Sequence, residues 1–135
     1  MGKTRSELRE IASKILYETY ILDNAKIKYD INALIKEELE VENEFTNNLV
    51  SGVRKNQNEI NVLANKYLVD WEIDRLSKID KAILSIGIYE LMYTDTPSIV
   101  SINEAIELSH KYSDEKVSKM INACLDKIYK GELNK

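Results

Sequence analysis

Between Ile79 and Leu91 the chain reads I-D-K-A-I-L-S-I-G-I-Y-E-L. Ile79, Ala82, Ile83, Leu84, Ile86, Ile88 and Leu91 occupy every side of a helix and leave almost no polar face. Such a helix is stable in water only when other helices cover it on several sides. A polar break, Thr94-Asp95-Thr96, and then Pro97 follow, after which S-I-V-S-I-N-E-A-I-E-L resumes a helical pattern through Leu108. The ring of Pro97 disfavours helical geometry at Thr96, so one turn joins the two helices. The segment therefore predicts an all-α domain built around one buried hub.

With 135 residues, the chain fits one domain and buries roughly two thirds of its unfolded surface without help from a disulfide or a metal. Four glycines and one proline leave few helix breakers. The single cysteine, Cys124, excludes an internal disulfide, and no secretory-type apolar run opens the chain, so a cytoplasmic location is the default expectation. No stretch approaches the roughly 18 uninterrupted apolar residues that a membrane span needs. The net charge of −4 argues against a protein that grips nucleic acid with its whole surface. Its distribution is uneven. Lys3, Arg5, Arg9 and Lys14 face only Glu7 and Glu10 near the start, whereas Asp30, Glu37, Glu38, Glu40, Glu42 and Glu44 face Lys36 alone. A basic end on an acidic body suits a focused anionic ligand together with a separate basic partner, although solvated helix faces explain the same pattern.

Periodicity divides the chain into about seven helices. Leu8, Ile11, Ala12, Ile15, Leu16 and Thr19 share a face of a first helix from Thr4 to Leu22, with Arg5 and Arg9 read as lying outside that stripe. A second helix runs from Tyr29 to Leu39. Glu42, Asn43 and Glu44 then open a third segment reaching Tyr67, either one long helix or two, in which Gly52 marks a close crossing or a bend. A helical turn at Trp71–Leu76 leads into the hub helix, Lys78–Tyr93. The next helix spans Ile99–Tyr112, or starts at Ser98, with Ser101 and Glu104 at capping-box spacing. Ser113 is expected to cap the last helix, and Gly131 to end it. Residues 1–135 are thus read as one unit of two packed helical subdomains, about 1–69 and 70–131.

Enzyme chemistry finds little support. Glu107 and His110 have the Glu-x-x-His spacing of di-iron bundles, but such sites take two copies and the chain has one histidine. Cys124 lies on an apolar stripe, where inert packing is the usual outcome. The glycines are scattered and form no phosphate-cradling loop. No catalytic residue, metal or cofactor is expected. Lys3, Arg5 and Arg9 at the start of a helix can reach phosphate oxygens, helped by that helix end's free N–H groups. Tyrosines such as Tyr17 and Tyr89 are read as core residues with wet hydroxyls.

Specific blocks carry a further signal. Arg5, Arg9, Ala12 and Leu16-Tyr17 form one. Leu49-Val50-Ser51-Gly52-Val53 is a second, and Arg75-Leu76, Asp80, Ala82-Ile83-Leu84 and Tyr89-Glu90-Leu91 a third. Pro97 through Leu108 is a fourth, and Lys119-Met120-Ile121-Asn122-Ala123-Cys124-Leu125-Asp126-Lys127 closes the set. Over nearly the whole length this pattern resembles the NusB family of transcription antitermination factors. The resemblance implies a non-enzymatic, two-subdomain helical protein that binds single-stranded boxA-type RNA jointly with ribosomal protein NusE, in antitermination complexes with RNA polymerase on ribosomal RNA operons. Carried over by position, Lys3, Arg5 and Arg9 meet the RNA backbone, with Tyr67, Lys116, Lys119 and Met120 at the rim. Asp74 and Asp80 fall where the family presents carboxylates to its basic partner, a role suited to complementary charge; weak surface pairs with Arg75, Lys78 and Lys81 are the plainer alternative. Two other readings stay open: a protein-only scaffold that has lost RNA binding, and an accessory subunit of an RNA-modifying enzyme. A homodimer is an oligomeric form the sequence neither requires nor excludes.

Overall fold

The computed structural model describes residues 2–39 and 41–133; of the acidic run, Glu40 lies outside the described residues. Among the described residues seven α-helices follow one another: α1 (Arg5–Asn24), α2 (Ile31–Glu38), α3 (Glu44–Lys55), α4 (Gln57–Tyr67), α5 (Lys78–Tyr93), α6 (Ser98–Tyr112) and α7 (Glu115–Ile128). A 3-10 turn at Ile73–Arg75 precedes α5, and a wider π-type turn at Tyr129–Leu133 follows α7. No strand occurs among the described residues.

Local chemistry sets most helix starts. Thr4 and Glu7 form a reciprocal capping box on α1. Side chains of Asp30, Asn43, Ser77 and Asp114 accept N–H bonds from the first turns of α2, α3, α5 and α7, satisfying donors that a helix end would otherwise leave open.

Helix α5 is the hub. It packs on α1 and α3, on α4, and on α6 and α7. Ile83, Leu84 and Ile88 are fully enclosed and meet a core that includes Ile15, Leu16, Val50, Ile60, Ile121 and Leu125. Each such side chain stabilises the fold by roughly 1.5–3 kcal/mol through removal from water. Among the described residues no helix is long and apolar enough to cross a membrane.

Four expectations about boundaries are corrected or resolved. The segment after Asn43 is two helices, and the break lies at Asn56, not at Gly52. Asn56 leaves helical geometry at φ −108°, ψ 16°, and its amide turns back to the Gly52 carbonyl at 2.8 Å. Gly52 instead marks a close crossing: a Cβ there would lie 2.2–2.4 Å from ring atoms of Tyr89 on α5. Ser101 is interior to α6, with a buried hydroxyl that has no hydrogen-bond partner among the described residues, so it forms no capping box with Glu104. Ser113 ends α6 while Asp114 caps α7. Gly131 lies inside the π-type turn, and its missing side chain makes room for the Tyr67 hydroxyl.

The crossing at Gly52 yields a first expected outcome. Gly52→Ala forces the Tyr89 ring off α3 and costs about 1–3 kcal/mol by overpacking, readable as a lower urea midpoint. An unchanged midpoint would show that Tyr89 swings aside freely.

Candidate nucleic-acid interface

The basic start of the chain is built on the capping box of α1. Glu7 Oε1 accepts from both the backbone N–H and the hydroxyl of Thr4 at 3.0 Å, and the Glu7 N–H returns to Thr4 Oγ1 at 3.1 Å. The Thr4 backbone and side-chain bonds hold the Glu7 carboxyl below its ordinary range. A carboxylate of the chain itself therefore sits at this helix end, and the helix start adds less to anion binding than free N–H groups would. Lys3 and Arg5 are exposed beside it. The Arg5 guanidinium rests 4.7 Å from the centre of the Phe45 ring, a cation–π contact that steadies it, and among the described residues no carboxylate closes on it.

Arg9 is different. It is only 3% exposed. Its Nε and Nη2 donate to the two oxygens of Glu90 at 2.7 and 2.9 Å, and its Nη1 lies 3.3 Å from Glu104. The Phe45 ring lies 5.2 Å away, and the Thr96 hydroxyl donates to Glu90 at 3.2 Å. Burial works against the charge of Arg9, but the hydrogen bonds and charge of Glu90, with Glu104 behind it, raise its pKa above the ordinary value. The placement of Arg9 outside the apolar stripe is thus corrected: its guanidinium is buried against Glu90 and Glu104 inside the protein and is not presented to a phosphate. The periodicity held this information. Arg9, Ala12, Ser13, Leu16 and Tyr20 are spaced as one helical face, and all five are buried. Glu90, alone with Asp80 as a buried acid on α5, was the other signal, since a buried carboxylate demands a paired cation.

The remaining basic residues lie on α7. Lys116 and Lys119 are exposed, with only a loose 3.6 Å pair between Lys119 and Glu115. Met120 is half-buried and packs on the core. The start of α7 is tied to α6 by the Ser109 hydroxyl donating to Ser118 at 2.9 Å. Helix α6 is tied in turn to α1: Lys111 pairs with Glu10 at 2.8 Å, the Tyr112 hydroxyl donates to the same carboxylate, and Ser6 donates to Glu104 at 2.6 Å. Helix α6 thus links α1 to the start of α7. Tyr67 stands elsewhere. Its hydroxyl donates to Glu132 at 2.5 Å, and Lys66 reaches the same oxygen at 3.0 Å. It is seated against Gly131, about 20 Å along the helix from Lys116 at 1.5 Å per residue. The structure therefore does not bring Tyr67 together with the α7 lysines.

The two carboxylates assigned to a partner also separate. Asp74, on the 3-10 turn, is largely exposed and pairs with Lys81 at 2.8 Å. Asp80 is 6% exposed; it accepts from the Ser77 hydroxyl at 2.7 Å and from the Ser113 hydroxyl. Asp74 offers its charge to solvent, whereas Asp80 locks the start of α5 to the α6–α7 junction. His110 is exposed. Cys124 is buried, and burial pushes its thiol up to about 12, which leaves no thiolate for chemistry.

The NusB family model matches residues 6–130. The chain belongs to the NusB family. Among similar proteins, the transcription antitermination protein NusB of Ruminiclostridium cellulolyticum is 39% identical over 136 residues, covering 98% of this chain and 92% of that relative. The NusB of Bacillus subtilis is 36% identical, with 92% and 93% covered. NusB of T. maritima superposes with a TM-score of 0.82 at 29% identity, over 96% of this chain and 93% of that one. A solved complex of antitermination factors NusB and NusE with dsRNA matches with a TM-score of 0.78 at 27% identity, over 94% and 96%. Membership of the NusB family assigns transcription antitermination, a task of binding and assembly with no chemical step.

Proposed function

We propose that this NusB-family protein is a cytoplasmic adaptor that binds boxA-type single-stranded RNA together with ribosomal protein NusE, as part of the RNA polymerase antitermination complex on ribosomal RNA operons. The observation that carries this reading is Arg5, exposed beside Lys3 and without a carboxylate partner among the described residues; the exposed Lys116 and Lys119 on α7 supply further cations. A few cations give weak, salt-dependent affinity for phosphates and no sequence reading. A partner docked near Asp74, on the approach to the hub helix, extends the RNA surface and adds binding energy through linked sites.

The test is fluorescence anisotropy with boxA and scrambled single strands at two salt concentrations, for the protein alone and mixed with NusE. Tighter, sequence-selective binding in the mixture supports the adaptor. The Arg5→Ala protein is expected to bind RNA more weakly, with a salt slope shallower by about one contact and an unchanged melting temperature. Wild-type affinity in that variant would remove Arg5 from the interface.

One observation favours the protein-only scaffold: with Arg9 internal, the basic face holds fewer cations than the sequence suggests. Stable association with NusE and no RNA binding at either salt would decide for it.

A further inference from the structure

A cleft of about 670 Å³ lies between α3, the C-terminal end of α5 and residues 94–96. We propose that this cleft is a nucleotide subsite, in which a base stacks on Tyr93 while phosphates meet Arg5 and Lys55 at its ends. The inference deepens the RNA-binding reading above and rests on it, except where a free nucleotide is the occupant.

The cleft follows from the crossing of α3 and α5. Because Gly52 has no side chain, Tyr89 presses against α3, and Tyr93, one turn further along α5, stacks on Tyr89 with ring centres 5.6 Å apart and planes 18° from parallel. Tyr93 remains 45% exposed. Tyr89 thus backs Tyr93, and a base joining the stack adds aromatic contact with little further loss of freedom. Every base has a π-face, so such a platform accepts single strands without demanding one sequence.

The polar groups suit a nucleotide better than a purely apolar ligand. Phe45, Asn48, Gly52 and Lys55 step along one face of α3 and line the cleft. The Asn48 amide is exposed and makes no hydrogen bond among the described residues, which leaves a donor and an acceptor for a base edge. Arg5 is held at the Phe45 end. Lys55, also without a partner among the described residues, lies ten residues further along α3, about 15 Å away at 1.5 Å per residue. Glu90 contributes to the lining but is already neutralised by the two bonds from Arg9, so it opposes an incoming phosphate far less than a free carboxylate would. Asp95 is the one other lining carboxylate. The volume falls in the range of pockets that hold small ligands.

Two sources share this chemistry, a unit of an RNA strand and a free mononucleotide. Wild type, Tyr93→Ala, Tyr93→Phe and Lys55→Ala would each be mixed with NusE and titrated with labelled boxA RNA at two salts. Each protein would also be titrated with AMP and UMP by calorimetry. For an RNA unit, Tyr93→Ala weakens binding by about ten-fold or more, Tyr93→Phe retains it, and Lys55→Ala lowers the salt slope by about one. For a free nucleotide, AMP or UMP binds wild type and loses that binding in Tyr93→Ala. Wild-type RNA affinity in both Tyr93→Ala and Lys55→Ala, with no mononucleotide binding, overturns the subsite while leaving the adaptor reading intact. Failure of wild type itself to bind RNA overturns the adaptor reading; the subsite then stands only if a mononucleotide binds. Lys55 is exposed and outside the core, so Lys55→Ala remains informative should Tyr93→Ala fold poorly.

Discussion

Arg9→Ala is expected to destabilise the protein by about 3–5 kcal/mol, because it leaves the Glu90 carboxylate buried without its cation. Glu90 is 1% exposed, too deep for water to replace the two bonds that Arg9 supplies. Against a typical total stability of about 5–15 kcal/mol, the loss is a large share, and the melting temperature is expected to fall by roughly 10–20 °C. Arg9→Met should be nearly as severe despite filling similar space. The double variant Arg9→Met, Glu90→Met should recover much of the loss, since replacing both members of a buried pair by apolar groups is often close to neutral. Thermal and urea denaturation of the four proteins would check this. A change below about 1 kcal/mol in Arg9→Ala would return Arg9 to the surface and to the RNA. The consequence for function is practical: lost RNA binding in an Arg9 variant reports on the fold, whereas the same loss in Arg5→Ala reports on the interface.

Charge reversal at the two partner-side carboxylates should have opposite outcomes. Asp80→Lys places a cation in a site with 6% exposure, where the native carboxylate takes two serine hydroxyls and its backbone N–H is capped by Ser77 at 3.2 Å. The substitution removes the link between the start of α5 and Ser113 and buries an unpaired charge. A destabilisation above about 3 kcal/mol follows from the cost of an uncompensated buried charge. Asp74→Lys sits on an exposed turn and should leave stability within about 0.5 kcal/mol. It should weaken a basic partner by about ten-fold through like-charge repulsion. Melting curves and a NusE binding titration on both variants distinguish the cases. A stable Asp80→Lys protein that loses only partner affinity would place Asp80 at the interface after all.

These variants also mark where sequence reading reached its limit. The hub helix was legible because its pattern has no polar face, and its observed bounds, Lys78–Tyr93, are those the sequence predicts. The start of α1 was legible from the spacing of Leu8, Ile11, Ala12 and Ile15, and the structure adds the Thr4–Glu7 capping box that sets it. Arg9 was half legible. Its spacing to Ala12, Ser13 and Leu16 puts it on the inward face, yet its charge argued for solvent, and the two signals could be weighed only with the partner known. That partner, Glu90, lies 81 residues away.

The sequence by itself determined the all-α class, the hub, most of the helical segments and the family, because helical period, capping and turn chemistry act over a few residues; it left open whether one helix or two follow Asn43. Only the tertiary structure decided which charges serve the interior and which the surface: Arg9 from Arg5, Asp80 from Asp74. It alone put Gly52 against Tyr89 and so opened the cleft beside Tyr93. The reason is that burial belongs to pairs of elements, and a charge is inside or outside only once another helix has covered it.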